Sequence, residues 1–227
     1  IAEYHVNFTR QQQWCKDLIY NETVQPQEKT LSESTLTRRV TIAYRNQSYT
    51  INLVFVDPAS VEKYFNFSRR ITGFWNQFVE GEPVIIVPSD FNFLVNQKVR
   101  MSITETVMFP STRSVGEFRV VGVFDPQTAF SGLVNIDNTP LFEDASTLVL
   151  IPLKSLKDSS IVVSGVTVFT KEGYNPVDIA KELAYSLAVP TIANKDGVAQ
   201  EFVWSTQFSV TGLIPYLPPL VIAGLMM

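Results

Sequence analysis

Hydrophobic and polar positions change their period several times along the 227-residue chain. Residues 1–35 are polar and Gln-rich, with apolar groups only at scattered positions such as Val6, Trp14, Leu18 and Ile19. The spacing predicts one helix around Gln11–Tyr20 and a loop over Asn21–Ser34. From Leu36 the period becomes two. Val40, Ile42 and Tyr44, then Tyr49, Ile51, Leu53 and Phe55, alternate with polar neighbours on either side of Arg45-Asn-Gln-Ser48. That pattern is a β-hairpin. Asp57-Pro58 opens a short helix over Ala59–Phe65, because Asp caps and Pro at the first position gives up only an orphan N–H. Gly73–Gly81 reads as an aromatic loop. Val84–Val87 is a buried strand, and Pro88-Ser-Asp90 starts a second short helix over Phe91–Val95.

Val99–Val107 and Val115–Phe124 alternate around a Pro-Ser-Thr-Arg turn and pair as a second antiparallel hairpin. Asp125–Ala145 carries Pro, Gly, Asn and Asp without a period. It is a loop of about twenty residues, a length uncommon in a compact domain unless the loop binds something. Thr147–Ile151 is an apolar strand, Pro152–Leu156 one helical turn, and Ile161–Thr170 a β-branched strand. Asn175-Pro-Val-Asp178 starts a helix whose apolar face runs through Ile179, Ala180, Leu183, Ala184 and Leu187. Phe202–Trp204 would add an edge strand. The expected class is α+β, with strand–helix units and antiparallel hairpins in two subdomains, one inserted in the other. The expected boundaries are 1–57 with 157–207 for a membrane-proximal α/β subdomain, and 58–156 for an inserted, mostly β subdomain.

No charged residue follows Glu201, and residues 208–227 form an apolar run of the length, about 20 residues, that a membrane-spanning helix requires. Pro215, Pro218 and Pro219 are compatible with a buried core segment instead. Gly and Pro are nevertheless commoner in membrane helices than in soluble ones, and Trp204 and Tyr216 suit an interfacial belt. The expectation is the start of a transmembrane helix, with the chain, which begins at Ile1, a piece of a longer protein. Four Asn-X-Ser/Thr sequons, at Asn7, Asn21, Asn46 and Asn66, are candidate glycan acceptors and point the body of the chain outward.

Composition narrows the chemistry. Apolar residues make up 45% and charged residues 18%, which excludes intrinsic disorder. A net charge of -4 speaks against nucleic acid. One Cys (Cys15) and one His (His5) supply neither a disulfide, nor a zinc ligand set, nor a nucleophilic triad. No Gly-x-x-x-x-Gly-Lys is present to cradle a nucleotide. Asp125, Asp137, Glu143 and Asp144 sit in or beside the long loop, where two carboxyls could approach as acid and base. The EF-hand spacing of oxygen ligands is absent. The dense aromatics Phe65, Phe67, Phe74, Trp75 and Phe78 are either core or an exposed patch.

One order of segments is familiar. Phe55-Val-Asp57-Pro-Ala-Ser, Gly73, Glu82-Pro-Val-Ile-Ile-Val-Pro88, Phe118-Arg-Val-Val-Gly122-Val-Phe and Leu148-Val-Leu-Ile-Pro-Leu153 resemble the extracytoplasmic core domain of FtsX-like (MacB-type) ABC transporter permeases. The resemblance covers about residues 36–227. It departs from the family pattern after Val87, where Asn96-Gln97-Lys98 stands in place of a Gly-Asp pair. It implies a non-catalytic domain without a cofactor, on the extracytoplasmic side of the cell membrane. Such a domain transmits ATP-driven motion of transmembrane helices to an external substrate or partner. The implied partners are a cytoplasmic ABC ATPase subunit, a second permease copy, and an external protein, peptide or lipoprotein. The segments around Phe74, Trp75 and Phe78 and around Phe130 and Asp137 are the candidate contacts. The alternatives are a membrane-anchored cell-surface binding module and a hydrolase using loop carboxylates.

Overall fold

The computed structural model describes residues 2–24, 37–106, 109–142, 144–156, 161–187 and 190–202. The apolar run 208–227 lies outside the described residues. Among the described residues no helix is long and apolar enough to cross a membrane. The chain divides into two compact units, Ile1–Tyr174 and Asn175–Met227.

The first unit opens with α1 (Ala2–Arg10) and β1 (Cys15–Val24) and continues through β2 (Thr37–Tyr44), β3 (Gln47–Val56) and α2 (Pro58–Phe65). Then follow the two-residue β4 (Thr72–Gly73), β5 (Val84–Pro88), β6 (Lys98–Thr106), β7 (Pro110–Phe124), β8 (Leu148–Pro152) and β9 (Ile161–Thr170). Mixed strands with few helices make the chain α+β, as the hydrophobic periods imply.

Seven strands form one sheet in the order β4-β7-β5-β8-β3-β2-β6. Because β6 also pairs with β7, from Lys98↔Arg119 to Thr106↔Pro110, six of them close into a ring. β3 and β8 run parallel, as do β5 and β7, whereas β2–β3, β2–β6 and β6–β7 are antiparallel. β2 and β3 thus share this sheet with β4, β5, β6, β7 and β8.

Alternation along the central strands sorts side chains into two cores. Ile85, Val87, Val149, Ile151, Phe55 and Val120 point into the barrel, where Val40, Ile42, Met101, Ile103 and Phe118 join them. Val84, Ile86, Leu148, Leu150, Val56 and Val121 point outward into a second core under α2 and the long loop. β5 and β8 are therefore buried on both faces, which is why they read as unbroken aliphatic runs. One barrel end is plugged by Phe91 and Phe93, whose rings meet Tyr49 at 4.4 and 5.4 Å. At the other end, Tyr20 and Val24 of β1 and Ile161 of β9 pack against the inner core, which there includes Leu153 and Leu156.

Several local expectations are corrected. Residues 15–24 are a strand, not part of a helix over Gln11–Tyr20. Leu18, Ile19 and Tyr20 pair with the β-branched run Val166–Val168 of β9, and this pairing overrides local propensity. The helix falls earlier, with Val6 and Thr9 buried on one face and Tyr4 stacked on Phe8 at 6.3 Å. The expected helix Phe91–Val95 is a single 3₁₀ turn at Ser89–Phe91. It is stopped by Asn92 at φ 55° and Asn96 at φ 70°, and it sends Phe91 and Phe93 inward. Pro152–Leu156 is a strand end and a tight turn with Lys154 at φ 60°, not a helical turn.

The second unit holds α3 (Pro176–Leu187), β10 (Thr191–Lys195) and β11 (Val198–Phe202). α3 begins where Asn175 caps it through Val177 N–H (3.3 Å), as read from the sequence. Ahead of Phe202 lies an antiparallel hairpin rather than a lone edge strand.

β4 is held to β7 by close backbone approach. A Cβ on Gly73 (φ 146°) would lie 2.3 Å from the Val121 carbonyl oxygen and 2.6 Å from Gly122 Cα. Gly73→Ala should destabilise the chain by about 2–4 kcal/mol in urea unfolding; an unchanged midpoint would contradict this packing.

Candidate functional site: an outer aromatic layer

α2 starts on the Asp57 cap, whose carboxylate accepts from Ala59 N (3.0 Å) and Ser60 Oγ (2.7 Å). Asn66, at φ 50°, ends the helix, and Glu62 reaches past the end to accept from Ser68 N (2.8 Å) and Oγ (2.6 Å). This turn drives Phe67 fully into the second core. Phe67 then joins two segments far apart in sequence. Its ring lies 6.3 Å from Trp75 and 5.3 Å from Phe130, and Phe130 in turn meets Phe124 at 4.9 Å and Phe142 at 5.0 Å. Arg70 adds a polar tie, donating to the Phe65 carbonyl (3.0 Å) and the Ala129 carbonyl (2.8 Å). The aromatic segment and the long loop, two candidate regions in the sequence, are thus one layer on the barrel's outer face.

Within that layer the candidate contacts differ in exposure. Phe78 is 2% and Phe130 7% exposed, so both are core residues, and Trp75 is partly buried. Phe74 (44%) and Val79 (48%) face out from one segment, and Val134 (50%), Ile136 (39%) and Asp137 from the other.

The loop tip is built rather than slack. Leu141 N–H donates to the Leu133 carbonyl (2.9 Å) and Asn135 N–H to Thr139 O (2.8 Å). Asp137 Oδ1 accepts from Thr139 N (3.1 Å) and Oγ1 (2.6 Å).

The loop carboxylates are turn-formers. Asp125 accepts from Thr128 and Gln127, Asp137 from Thr139, and Asp144 from Ser146, and these hydrogen bonds hold all three carboxyls below the usual carboxylate range. Glu143 lies outside the described residues. No group of three or more His, Cys, Asp or Glu fit to hold a metal is present among the described residues. Cys15 is partly exposed, and burial followed by the Asp17 charge pushes its thiol up, away from thiolate. His5 lies in α1. Of the sequon asparagines, Asn7, Asn46 and Asn66 are exposed and Asn21 lies in β1.

A cluster the sequence did not single out joins β1 to α2. Asp17 accepts from Lys63 Nζ (2.6 Å), Tyr64 Oη (2.8 Å) and Leu18 N (2.8 Å), and Lys63, then Tyr64, draw its carboxyl down to about 2. The Tyr64 ring lies flat on Phe169 of β9 at 4.0 Å. Only the pairing of β1 with β9 brings these residues together, so no local spacing could have marked them. A groove of about 560 Å³ runs beside the cluster, lined by Arg10, Lys16, Asp57 and Ser60 among others.

No family model matches the chain, and no curated protein does either. Among solved structures it is similar to the extracellular domain of the noncanonical ABC-type transporter YknZ from Gram-positive bacteria. The identity is 15% over 89% of this chain and 89% of that one, with a TM-score of 0.47.

Two measurements check the site. Phe130→Ala should cost about 3–5 kcal/mol and Phe74→Ser less than about 1 kcal/mol, since only the first empties a core; equal costs in denaturant unfolding would contradict the layer. Asp17 has a depressed folded-state value, so its contribution is present above about pH 4 and lost as pH falls toward 2. Asp17→Asn should cost roughly 1–2 kcal/mol at pH 6, discounted for solvent screening, and most of that cost should be gone by about pH 2. A penalty independent of pH would show that the charge is not what matters.

Proposed function

We infer that this chain is the outward-facing domain of an ABC transporter permease subunit. In this role it relays ATP-driven motion of transmembrane helices to an external protein, peptide or lipoprotein. The supporting observation is contiguity. The segments that resemble FtsX-like (MacB-type) permeases fall on β3 and the α2 start, β4, β5, β7 and β8. In the sheet these strands form one unbroken run, β4-β7-β5-β8-β3. Segments dispersed along the sequence thus make one structural block, and most of their apolar residues face one of the two cores.

On this reading the domain does no catalysis of its own, and the work comes from a separate ATPase subunit acting through membrane segments. The tail 208–227 supplies the apolar composition for one such segment. On this reading Phe74, Val79, Ile136 and Asp137 meet the external partner, Asn7, Asn46 and Asn66 are open to glycans, and two permease copies assemble in the membrane.

Affinity purification of the full-length protein from its own membranes should bring down an ATP-binding subunit and vanadate-sensitive ATP hydrolysis. A full-length protein that purifies alone and hydrolyses no ATP would overturn the reading in favour of a membrane-anchored binding module.

A further inference from the structure

Among the described residues β1 and β9 pair only with each other, as a two-stranded antiparallel ribbon outside the closed sheet. The ribbon sits at the barrel end where β3 and β8 finish, and two polar latches fix it there. One is the Asp17 cluster with Lys63 and Tyr64 of α2, backed by the Tyr64–Phe169 stack. The other lies past β8. Lys154 N–H donates to Glu22 Oε2 (3.2 Å), its ammonium pairs with Glu80 (2.5 Å), and the same ammonium faces the Tyr20 hydroxyl.

Where the ribbon meets the inner core, Tyr20, Val24 and Ile161 remain only partly buried; the ribbon's buried Leu18 and Ile19 belong to neither barrel core. Beside the second latch, Ser155 has a buried hydroxyl with no partner among the described residues. Such a group favours any state that lets water in. The barrel has no comparable weakness: Met101, Ile103, Ile85 and Ile151 are wholly buried inside it.

We propose that the β1–β9 ribbon is a strap that lifts from the barrel end as a unit, about the Asp17 and Lys154 latches, while the barrel stays folded. Exposed polar contacts are weak and screened, whereas double-sided aliphatic burial opens only with global unfolding. The strap therefore belongs to the low-stability end of the molecule. α1 leads into β1, and the second unit follows β9, so the strap carries both covalent connections of the barrel unit. Lifting is a property of this unit whether or not an ATPase drives it.

Native-state thiol labelling tests this on the 227-residue chain carrying Cys15→Ala. A cysteine is placed either beside the second latch (Leu153→Cys) or inside the barrel (Met101→Cys). At low urea, position 153 should label at least about tenfold faster than position 101 and with a shallower urea dependence. Adding Asp17→Asn with Glu22→Ala, which removes the carboxylate that accepts from the Lys154 N–H, should speed labelling at 153 by about tenfold more relative to 101, the size expected from losing two exposed latches. Should that pair fail to fold, Tyr64→Phe, which removes one donor and keeps the stack, should speed position 153 by a few-fold. Equal rates and equal urea dependence at 153 and 101, or no response of 153 to the latch variants, would show that the strap opens only when everything unfolds.

Discussion

Two short aliphatic strands, β5 and β8, are covered on both faces, and this double burial organises the rest of the molecule. Every residue of Val84–Pro88 and Leu148–Pro152 is buried. A strand of that kind needs an apolar layer on each side. The inner layer comes from closing the sheet, so that β6 returns to β7 and the barrel fills with Ile42, Met101, Ile103 and Phe118. The outer layer has no sheet to supply it. It is assembled from α2, the aromatic turn around Phe67 and the long loop carrying Phe130. The loop of about twenty residues is explained by this demand: its Phe130, Leu133, Leu141 and Phe142 cover the second core, and its tip, with Val134 and Ile136, stays exposed.

Much of this was readable where signals are local. The β2–β3 and β6–β7 hairpins follow from period-two runs, although Pro110-Ser-Thr-Arg113, read as the second hairpin's turn, is the start of β7, paired with Ile103–Thr106 of β6. The Asp57-Pro58 and Asn175-Pro176 starts of α2 and α3 follow from capping chemistry that a few consecutive residues complete. The aliphatic runs announced buried strands but could not say that each feeds two cores, because that depends on what packs on the far side.

Long-range pairing was illegible. β1 takes its strand form from β9, with Cys15 opposite Thr170, so a local reading of residues 11–20 as helical missed the partner that decides the matter. The Asp17 cluster follows from the same pairing and was invisible for the same reason. Phe78 and Phe130 carried the same composition signal as Phe74. Their tertiary packing alone separates the core rings Phe78 and Phe130 from the exposed Phe74.

Two-sided burial makes the barrel the stiff part of the molecule, while the polar ties lie at its margins. Amide hydrogen exchange of the whole chain across a urea series tests that stiffness most directly. Ile85, Ile86, Val149 and Leu150 should be the slowest amides and exchange only through global unfolding, with the full urea dependence. Exchange at these four amides that is faster than in the β10–β11 hairpin, or insensitive to urea, would contradict the two-core account.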